Sequence, residues 1–317
     1  MGCKVENYHT PVLLKEVLHG LDECIRGDGK DQKIVVDATA GGMGHSAAIA
    51  KTLPGNGILV CIDRDSDALS LNKDRVGGQC KKIFVRGNFA DISNILKAEK
   101  IDKVDAVLAD LGVSSHQIDD PSRGFSYTKD GPLDMRMDKT QKRDANHVVN
   151  NYTLERLTEI IRDYGEERYA RQIASAIVER RPIKTTAELT KIITEAVPGN
   201  YYKTGGHPAK RTFQAIRIEV NGELTNLETF IKDAVECLKP NGRIAIITFH
   251  SLEDRIVKQT FKDLSSSCLC PPKTPKCVCG HTKSINIVTK KPILPAEDEV
   301  KNNARSASAK LRIGGKI

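Results

Sequence analysis

The sequence predicts an α/β fold: a Rossmann-like parallel sheet with helices on both faces, and a helical domain inserted between the fourth and fifth strands. Short apolar runs rich in β-branched residues alternate with helical patterns. A glycine-rich stretch follows the first of these runs. Roughly a hundred residues of mainly helical pattern separate the fourth run from the fifth.

Five apolar runs are predicted to form the parallel strands. They are residues 33–37, 57–63, 82–85, 104–110 and 242–249. Continuous apolar runs of this kind are typical of parallel strands that helices cover on both faces. Segments 284–289 and 309–313 are predicted to pair as antiparallel edge strands. Because ligands bind at the carboxyl ends of parallel strands, we expect the site where the first, second and fourth runs end.

The inserted region carries its own helical signals. Residues 154–164 and 169–180 are predicted helices, and a third begins after Thr185, where a capping residue precedes Glu188. We therefore assign residues 1–112 and 218–317 to the sheet domain, and residues 113–217 to a helical domain that recognises the substrate.

The composition restricts the partners of this chain only weakly. Lys and Arg number 49 against 41 Asp and Glu, which leaves a net charge of +8. This excess fits either nucleic acid binding or an ordinary solvated surface. No apolar run approaches the roughly 20 residues that cross a bilayer, and the first residues lack the pattern of a signal peptide, so we expect no membrane partner and a cytoplasmic protein.

The stretch from Gly42 to Ala47 has the G-x-G-x-x-G/A spacing of a ligand-binding loop, and Asp63 follows about twenty residues later. Glycines let the backbone approach a ligand, and an acid at the next strand end accepts hydrogen bonds from ribose hydroxyls. Nicotinamide dinucleotides and S-adenosylmethionine share these requirements. The loop alone therefore leaves a dehydrogenase, a methyltransferase and a tight turn without ligand all open.

Sequence blocks along nearly the whole chain carry a family resemblance. They are YHTPVLL (8–14), DATAGGMGHS (37–46), IDRD (62–65), DLGVSSHQ (110–117), RGFS (123–126), DGPLDMRMD (130–138), HPAKRTFQAIR (207–217), FHSLEDR (249–255) and ARSA (304–307). In these blocks the chain resembles the ribosomal small-subunit RNA (cytosine-N(4))-methyltransferases, the RsmH or MraW family. The resemblance implies S-adenosylmethionine as cofactor, and as substrate a cytosine in the decoding region of 16S rRNA, within the small ribosomal subunit.

The resemblance also places the cofactor contacts. They fall on Met43, Gly44, His45, Asp63, Phe89, Asp110 and Gln117. Asp63 suits the ribose, Phe89 can stack on adenine, and the loop backbone suits the methionine end. Met43 stands where the family usually has glycine, so we expect the backbone there to avoid positive φ.

Asp110 is the candidate catalytic residue, because a carboxylate that accepts N–H bonds from an exocyclic amine restores its nucleophilicity. Alignment of the reacting atoms is expected to matter more than a strong base. Asp110 can instead serve the cofactor alone, since the D/N-P-P-Y/F motif of many amino-methyltransferases is absent after it. Asp134 and Asp138 are reserves, although we favour their interpretation as solvated acids or partners of Arg136.

Several residues of the insert are candidates for RNA contact. The predicted phosphate contacts are Lys203, His207, Lys210, Arg211 and Arg217, with Arg180, Arg181 and Lys184 as further cations. Lys210 stands where threonine is common in the family. Arg211 and Arg217 can equally pair with Glu219 or Glu223. Phe125 and Tyr127 are candidates to clamp a flipped base, or core residues of the insert.

Two further clusters of polar or sulfur-containing residues are candidates for a metal site or a hydrolase site. Cys268, Cys270, Cys277 and Cys279 can bind zinc, but their C-x-C spacing is shorter than the usual gap, so no metal is predicted and zinc remains the alternative. The second cluster lies between His250 and Asp254 and lacks the G-x-S-x-G motif of a hydrolase. It is predicted to be a capped helix start.

Overall fold

The computed structural model describes residues 11–26, 31–201, 206–271, 274 and 276–317. The strands are β1 (Ile34–Asp37), β2 (Ile58–Asp63), β3 (Lys81–Arg86), β4 (Val104–Asp110), β5 (Leu238–Thr248), β6 (Ile285–Ile287) and β7 (Lys310–Lys316). The helices are α1 (Leu14–Ile25), α2 (Gly44–Thr52), α3 (Ser66–Asn72), α4 (Ile92–Ala98), α5 (Ser115–Asp119), α6 (Ala145–Asn151), α7 (Leu154–Asp163), α8 (Ala170–Glu179), α9 (Thr186–Ala196), α10 (Ala209–Asn221), α11 (Leu227–Cys237), α12 (Ser251–Ser265) and α13 (Glu297–Asn302). Short 3₁₀ helices cover Lys73–Arg75, Phe89–Asp91, Pro121–Arg123 and Ala304–Ser308.

The strands form one seven-stranded sheet in the order β3-β2-β1-β4-β5-β7-β6. Strands β1 to β5 pair in parallel, and β7 pairs antiparallel with both β5 and β6. The predicted α/β Rossmann-like fold is confirmed. The two late segments pair with each other as expected, and β7 in addition joins them to β5.

Alternating residues of the strands build two cores, because successive side chains of a strand point to opposite faces. One face combines Val36, Val60, Val107 and Ile244 with apolar residues of α4, α11 and α12. The other combines Val35, Leu59, Ala106 and Ala245 with residues of α1 and α2. Both faces of the sheet are therefore covered, which explains why the central strand β1 and its neighbour β2 are apolar up to their final aspartates.

The chain divides into two compact units. The first combines the chain up to Gly112 with Asn226–Ile317, and the second is Val113–Thr225. The predicted domain boundary at residue 217 falls inside α10, which continues to Asn221. The second unit is built from helices α5 to α10 around its own apolar core.

Local signals set the ends of the predicted helices. Thr185 caps α9 by accepting from Glu188 N, and the Glu188 carboxylate accepts from Thr185 N in a reciprocal capping box. Asp65 caps α3 through the backbone N–H of Asp67. Among the described residues, no helix is long and apolar enough to span a membrane.

Candidate active site

The carboxyl ends of β1, β2 and β4 meet at one edge of the sheet. Strand β1 lies between β2 and β4, so the order of the strands reverses beside it. Such a reversal opens a crevice in which ligands of this fold class bind. Asp37, Asp63 and Asp110 are the last residues of these three strands.

The loop after β1 is held by backbone hydrogen bonds to the neighbouring strands. Ala38 donates to the Leu108 carbonyl at 2.8 Å, and Ala40 donates to the Ile62 carbonyl at 2.9 Å. Gly41, at φ 46°, donates its N–H to Asp63 Oδ2 at 2.6 Å. A Cβ at Gly42 would meet nothing within 4 Å, so the loop backbone borders open space there.

Met43 corrects one expectation from the sequence. Its backbone is left-handed, with φ 61° and ψ 16°, although positive φ was expected to be avoided there. The side chain is fully buried in the core that α1 and α2 share with the sheet. Burial of this side chain offsets the strain, so a residue other than glycine holds the glycine-like conformation.

Gly44 and His45 open α2, immediately after this turn. A Cβ at Gly44 would lie 2.3 Å from Pro11 Cγ, so the close approach of these two segments requires glycine. The buried His45 Nε2 lies 2.9 Å from the Val12 carbonyl oxygen. Because a carbonyl only accepts, Nε2 carries the proton and Nδ1 presents a lone pair.

Asp110 is the most perturbed acid of this edge. Its backbone N–H donates to Thr39 Oγ1 at 2.6 Å. Its Oδ2 lies 3.5 Å from His45 Nδ1, and its buried Oδ1 has no hydrogen-bond partner among the described residues. Burial, and then the charges of Asp37 and Glu253, raise the pKa of Asp110 well above its usual range. An unpaired buried acceptor of this kind suits a donor from a ligand.

Burial acts on His45 in the opposite direction and lowers its pKa to about 4. The imidazole is therefore neutral at pH 7, and its Nδ1 lone pair faces the carboxyl of Asp110. Two lone pairs repel, so a proton on Asp110 favours this arrangement. Without a ligand, this arrangement of His45 and Asp110 favours the protonated carboxyl. A cation or a hydrogen-bond donor beside Asp110 would favour the ionised carboxylate instead.

Asp37 and Ser46 were not singled out from the sequence, yet they support the same edge. Ser46 donates its hydroxyl to Asp37 Oδ2 at 2.5 Å, and the carboxyl is almost fully buried. Burial raises the pKa of Asp37 to about 6. The position of Asp37 at the end of a predicted strand was a signal that could have identified it.

Asp63 remains partly accessible although two backbone groups bind it. Its Oδ1 accepts from Asp65 N at 2.8 Å, while its Oδ2 accepts the Gly41 bond. Burial raises the pKa of Asp63, and these N–H donors oppose the shift. Each carboxylate oxygen has a second lone pair, which leaves capacity for ribose hydroxyls.

Phe89 follows β3 in a short 3₁₀ helix and is only half-buried. Its ring packs edge-on against Phe230, with 4.9 Å between centroids and 68° between planes. This contact fixes the orientation of the ring. A partly exposed, oriented aromatic ring is a suitable stacking surface for a planar base.

Gln117 belongs to the second unit and has a structural task there. Its side-chain Oε1 accepts from Ser114 N at 3.0 Å, and Ser114 Oγ accepts from Gln117 N at 3.2 Å. These bonds form the capping box of α5. A cofactor contact by Gln117 stays a prediction.

The reserve acids have the roles favoured from the sequence. Asp134 forms a bidentate pair with Arg136, with N···O distances of 2.9 and 2.8 Å. Asp138 accepts from both the backbone N–H and the hydroxyl of Thr140. His250 and Glu253 form the capping box at the start of α12, so the predicted helix start is confirmed.

The two aromatic residues proposed to clamp a flipped base, both in the second unit, differ in burial. Phe125 is buried in the helical core, as its alternative interpretation expected. Tyr127 is half-buried and stacks on His207, with 4.8 Å between centroids and 26° between planes. The stacked pair is the better candidate for contact with a base.

The candidate phosphate contacts fall into exposed cations and cations that bind other groups of the protein. Lys210 is exposed, whereas Arg211 donates to the Glu166 carbonyl at 2.9 Å. Arg217 forms a bidentate pair with Glu223, both N···O distances being 2.9 Å, which is the alternative the sequence left open. Arg180 pairs with Glu195, Arg181 donates to the Val149 and Tyr152 carbonyls, and Lys184 is exposed. Lys203 lies outside the described residues.

Comparison with known proteins gives consistent results. A family model described as the MraW methylase family matches residues 6–317. A protein of Halothermothrix orenii named ribosomal RNA small subunit methyltransferase H is 50% identical over 312 residues, which cover 98% of each chain. A protein of the same name from Caldicellulosiruptor saccharolyticus is 52% identical over 313 residues, covering 98% of this chain and 99% of the relative. One from Clostridium botulinum is 51% identical over 316 residues, covering 99% and 100%.

Proposed function

Since the chain belongs to the MraW methylase family, we propose that it methylates the N4 atom of a cytosine in the decoding region of 16S ribosomal RNA. It is a methyltransferase, and its methyl donor is S-adenosylmethionine. The observation that carries the proposal is the buried Oδ1 of Asp110, an acceptor without a hydrogen-bond partner among the described residues, at the crevice of the sheet.

The charges of this edge suit the donor. Asp37, Asp63 and Asp110 end three adjacent strands, and S-adenosylmethionine carries a sulfonium and an ammonium against one carboxylate. A nicotinamide dinucleotide would bring two negative phosphates to the same acids. A cation stabilises the ionised form of these acids, whereas a phosphate repels it, so the acids favour the methyltransferase over the dehydrogenase.

The residues of the first unit fit the parts of the cofactor separately. The open space beside Gly42 lets the backbone of the loop through Met43, Gly44 and His45 line the methionine end. Asp63 suits the ribose hydroxyls, and Phe89 suits the adenine.

Asp110 acts on the target amine in this proposal. When bound, S-adenosylmethionine supplies an electrophilic methyl group on its sulfonium. Asp110 Oδ1 accepts an N–H of the cytosine amine, which directs the nitrogen lone pair away from the ring. When the nitrogen takes the methyl group, the electron pair of the broken carbon–sulfur bond stays with the leaving group, S-adenosylhomocysteine. The nitrogen then gives its surplus proton to the Asp110 carboxylate. Because a nearby cation favours the ionised carboxyl, cofactor binding lowers the raised pKa of Asp110 and prepares the acceptor.

The RNA is bound in this proposal by the exposed Lys210 and the stacked Tyr127 and His207 of the second unit. Lysine binds phosphates without regard to sequence, whereas a stacked aromatic pair contacts an unstacked base. In this proposal the substrate is 16S rRNA within the small ribosomal subunit, and the protein acts in the cytoplasm.

The test measures transfer of labelled methyl to small subunits that lack the modification, followed by nucleoside analysis. We expect label in N(4)-methylated cytidine. Asp110→Ala should lower kcat by about 100-fold or more, and Asp110→Asn, which keeps one oxygen acceptor, should lower it less. Asp102→Asn removes the same charge from an exposed position before β4 and should leave the rate unchanged.

Two outcomes would contradict parts of the proposal. If neither subunits nor free RNA accept label while S-adenosylhomocysteine still binds, the RNA substrate is wrong. If Asp110→Ala raises the KM for S-adenosylmethionine and leaves kcat unchanged, Asp110 serves the cofactor and not the amine.

A further inference from the structure

Four cysteine side chains converge in the loop between α12 and β6. The Sγ atoms of Cys268, Cys270, Cys277 and Cys279 all lie within 4.8 Å of one another. All four thiols are free. The two C-x-C pairs are separated by six residues in the sequence, so the folding of the loop itself brings them together.

The distances between the sulfur atoms match those of four thiolates bound to one metal ion. Cys277 Sγ lies 3.4 Å from Cys268 Sγ, 4.0 Å from Cys270 Sγ and 3.5 Å from Cys279 Sγ. Cys279 and Cys268 are 3.8 Å apart. Four thiolates at ~2.3 Å from a tetrahedral zinc ion are ~3.8 Å from one another. A disulfide needs a separation of ~2.05 Å, so these distances fit an ion and not a covalent pair.

Backbone amides donate to these sulfur atoms, as thiolate ligands require. Leu269 N lies 3.4 Å from Cys279 Sγ, and Val278 N lies 3.5 Å from Cys270 Sγ. The middle residue of each C-x-C pair thus donates to a sulfur of the other pair. Hydrogen bonds of this kind stabilise negative sulfur and hold the two pairs in register.

The apolar side chains described in the loop are exposed and form no core that could order it. Leu269 is 47% exposed and Val278 is 82% exposed. The base of the loop is closed by Ser284 N, which donates to the Leu264 carbonyl at 2.8 Å, and by His281 Nε2, 2.9 Å from the Asp263 carbonyl. Between these two hydrogen bonds at its base, the two halves of the loop meet at the thiol cluster.

The charge of the loop also suits a four-thiolate site. Four thiolates around a divalent ion have a net charge of about −2. Between Cys268 and Cys279 the sequence contains Lys273 and Lys276 and no acidic residue. Positive side chains nearby lower the energy of the anionic complex.

We propose that Cys268, Cys270, Cys277 and Cys279 bind one zinc ion in a structural site. All four tetrahedral positions are filled by protein ligands, so no position remains for water or substrate. Zinc is favoured over a cluster of several irons, because sulfide and iron atoms between the ligands would hold the thiolates further apart. The ion replaces the missing apolar core of the loop. This site is independent of the proposed methyl transfer.

The first experiment measures metal content in protein purified under reducing conditions and refilled with zinc chloride. We expect about one zinc per chain in the wild type and less than a tenth of that in Cys277→Ser, which removes the sulfur closest to the other three. Ser267→Ala, in the same loop, and Cys237→Ser, a thiol outside the cluster, should keep the zinc. A wild type that holds no zinc, that holds iron, or whose mass shows disulfides would overturn the proposal.

The second experiment does not depend on the folding of a variant. Zinc is removed from the wild type, and cobalt(II) chloride is added. A tetrahedral four-sulfur site gives intense visible bands and sulfur-to-cobalt charge transfer, which we expect to disappear on addition of zinc. The site would be contradicted if cobalt gave only the weak bands of an octahedral ion and the four thiols still reacted with an alkylating reagent. Methyl transfer, measured in parallel, reports on the proposed function separately.

Discussion

Met43 shows how a buried side chain determines a backbone conformation that its type disfavours. A left-handed residue other than glycine costs about 1–2 kcal/mol. Its fully buried thioether contributes more than this through apolar contact. The φ expected for Met43 was wrong, because the apolar core that compensates the strain includes residues of α1 and the sheet, which are not visible in the loop sequence.

The first prediction concerns this balance. Met43→Gly removes the strain and also the buried side chain, so we expect the free energy of unfolding to fall by about 1–3 kcal/mol. Urea unfolding measures it. Lys100→Gly is the matched control, since Lys100 has φ 59° but is exposed, and it should be neutral or slightly stabilising. A Met43→Gly protein more stable than the wild type would refute the argument.

The second prediction uses two acid titrations of opposite sign. Burial lowers the pKa of His45 to about 4, so the unfolded chain takes up this proton first and stability falls as the pH drops from about 6.5 to 4. Burial raises the pKa of Asp37 to about 6, so the folded protein takes up that proton first. Its contribution makes stability rise as the pH drops from about 6 to 4.

The two contributions largely cancel in the wild type, and single variants should separate them. Relative to the wild type, His45→Gln should gain up to ~3 kcal/mol between pH 6.5 and 4, and Asp37→Asn should lose a similar amount. Chemical unfolding at half-unit pH steps gives both curves. Parallel curves for all three proteins would show that neither group titrates in this range.

At the scale of elements, strands and helices with a clear pattern were predicted well, and polar segments were not. Strand β5 begins at Leu238, four residues before its apolar run, because Leu238 pairs with Val104 of β4. The polar residues after it are left out of the pairing by a shift in register, which resumes at Arg243. Helix α13 lies in the polar segment between the two predicted edge strands, for which no helix was predicted. The structure of such polar segments depends on the strand that they pair with or the surface that they pack against, and the local sequence predicts neither.

Helix α10 carries the third prediction, since two of its three cations have different surroundings. Arg217→Ala breaks the pair with Glu223, whose side chains are 17% and 6% exposed, and should destabilise the protein by about 2–4 kcal/mol. Lys210→Ala should change stability by less than about 0.5 kcal/mol. It should weaken RNA binding and reduce the salt dependence by about one charge.

Thermal unfolding and RNA titration at several salt concentrations distinguish these expectations. A stable Arg217→Ala protein with weakened RNA affinity would make Arg217 a phosphate contact. An unchanged affinity of Lys210→Ala would remove Lys210 from the interface.

For the whole molecule, the net charge of +8 left an anionic partner and an ordinary solvated surface equally open, and it does not locate a binding face. Between residues 255 and 291 the sequence contains eight Lys and Arg and one acidic residue, Asp263. This segment includes the cysteine loop and lies outside the insert, where the RNA contacts were expected. Charge sums over the chain do not locate a binding face, because pairing such as that of Arg217 and Glu223 neutralises cations individually.

The position of β7 in the sheet has a consequence for synthesis of the protein. Strand β7 pairs with β5 on one side and with β6 on the other. Until residues 310–316 leave the ribosome, β5 therefore presents an unpaired edge and β6 has no neighbour. Exposed apolar edges of this kind recruit other chains. A nascent chain that has not yet added β7 is therefore prone to aggregate, and a chain cut before Lys310 would remain in that state.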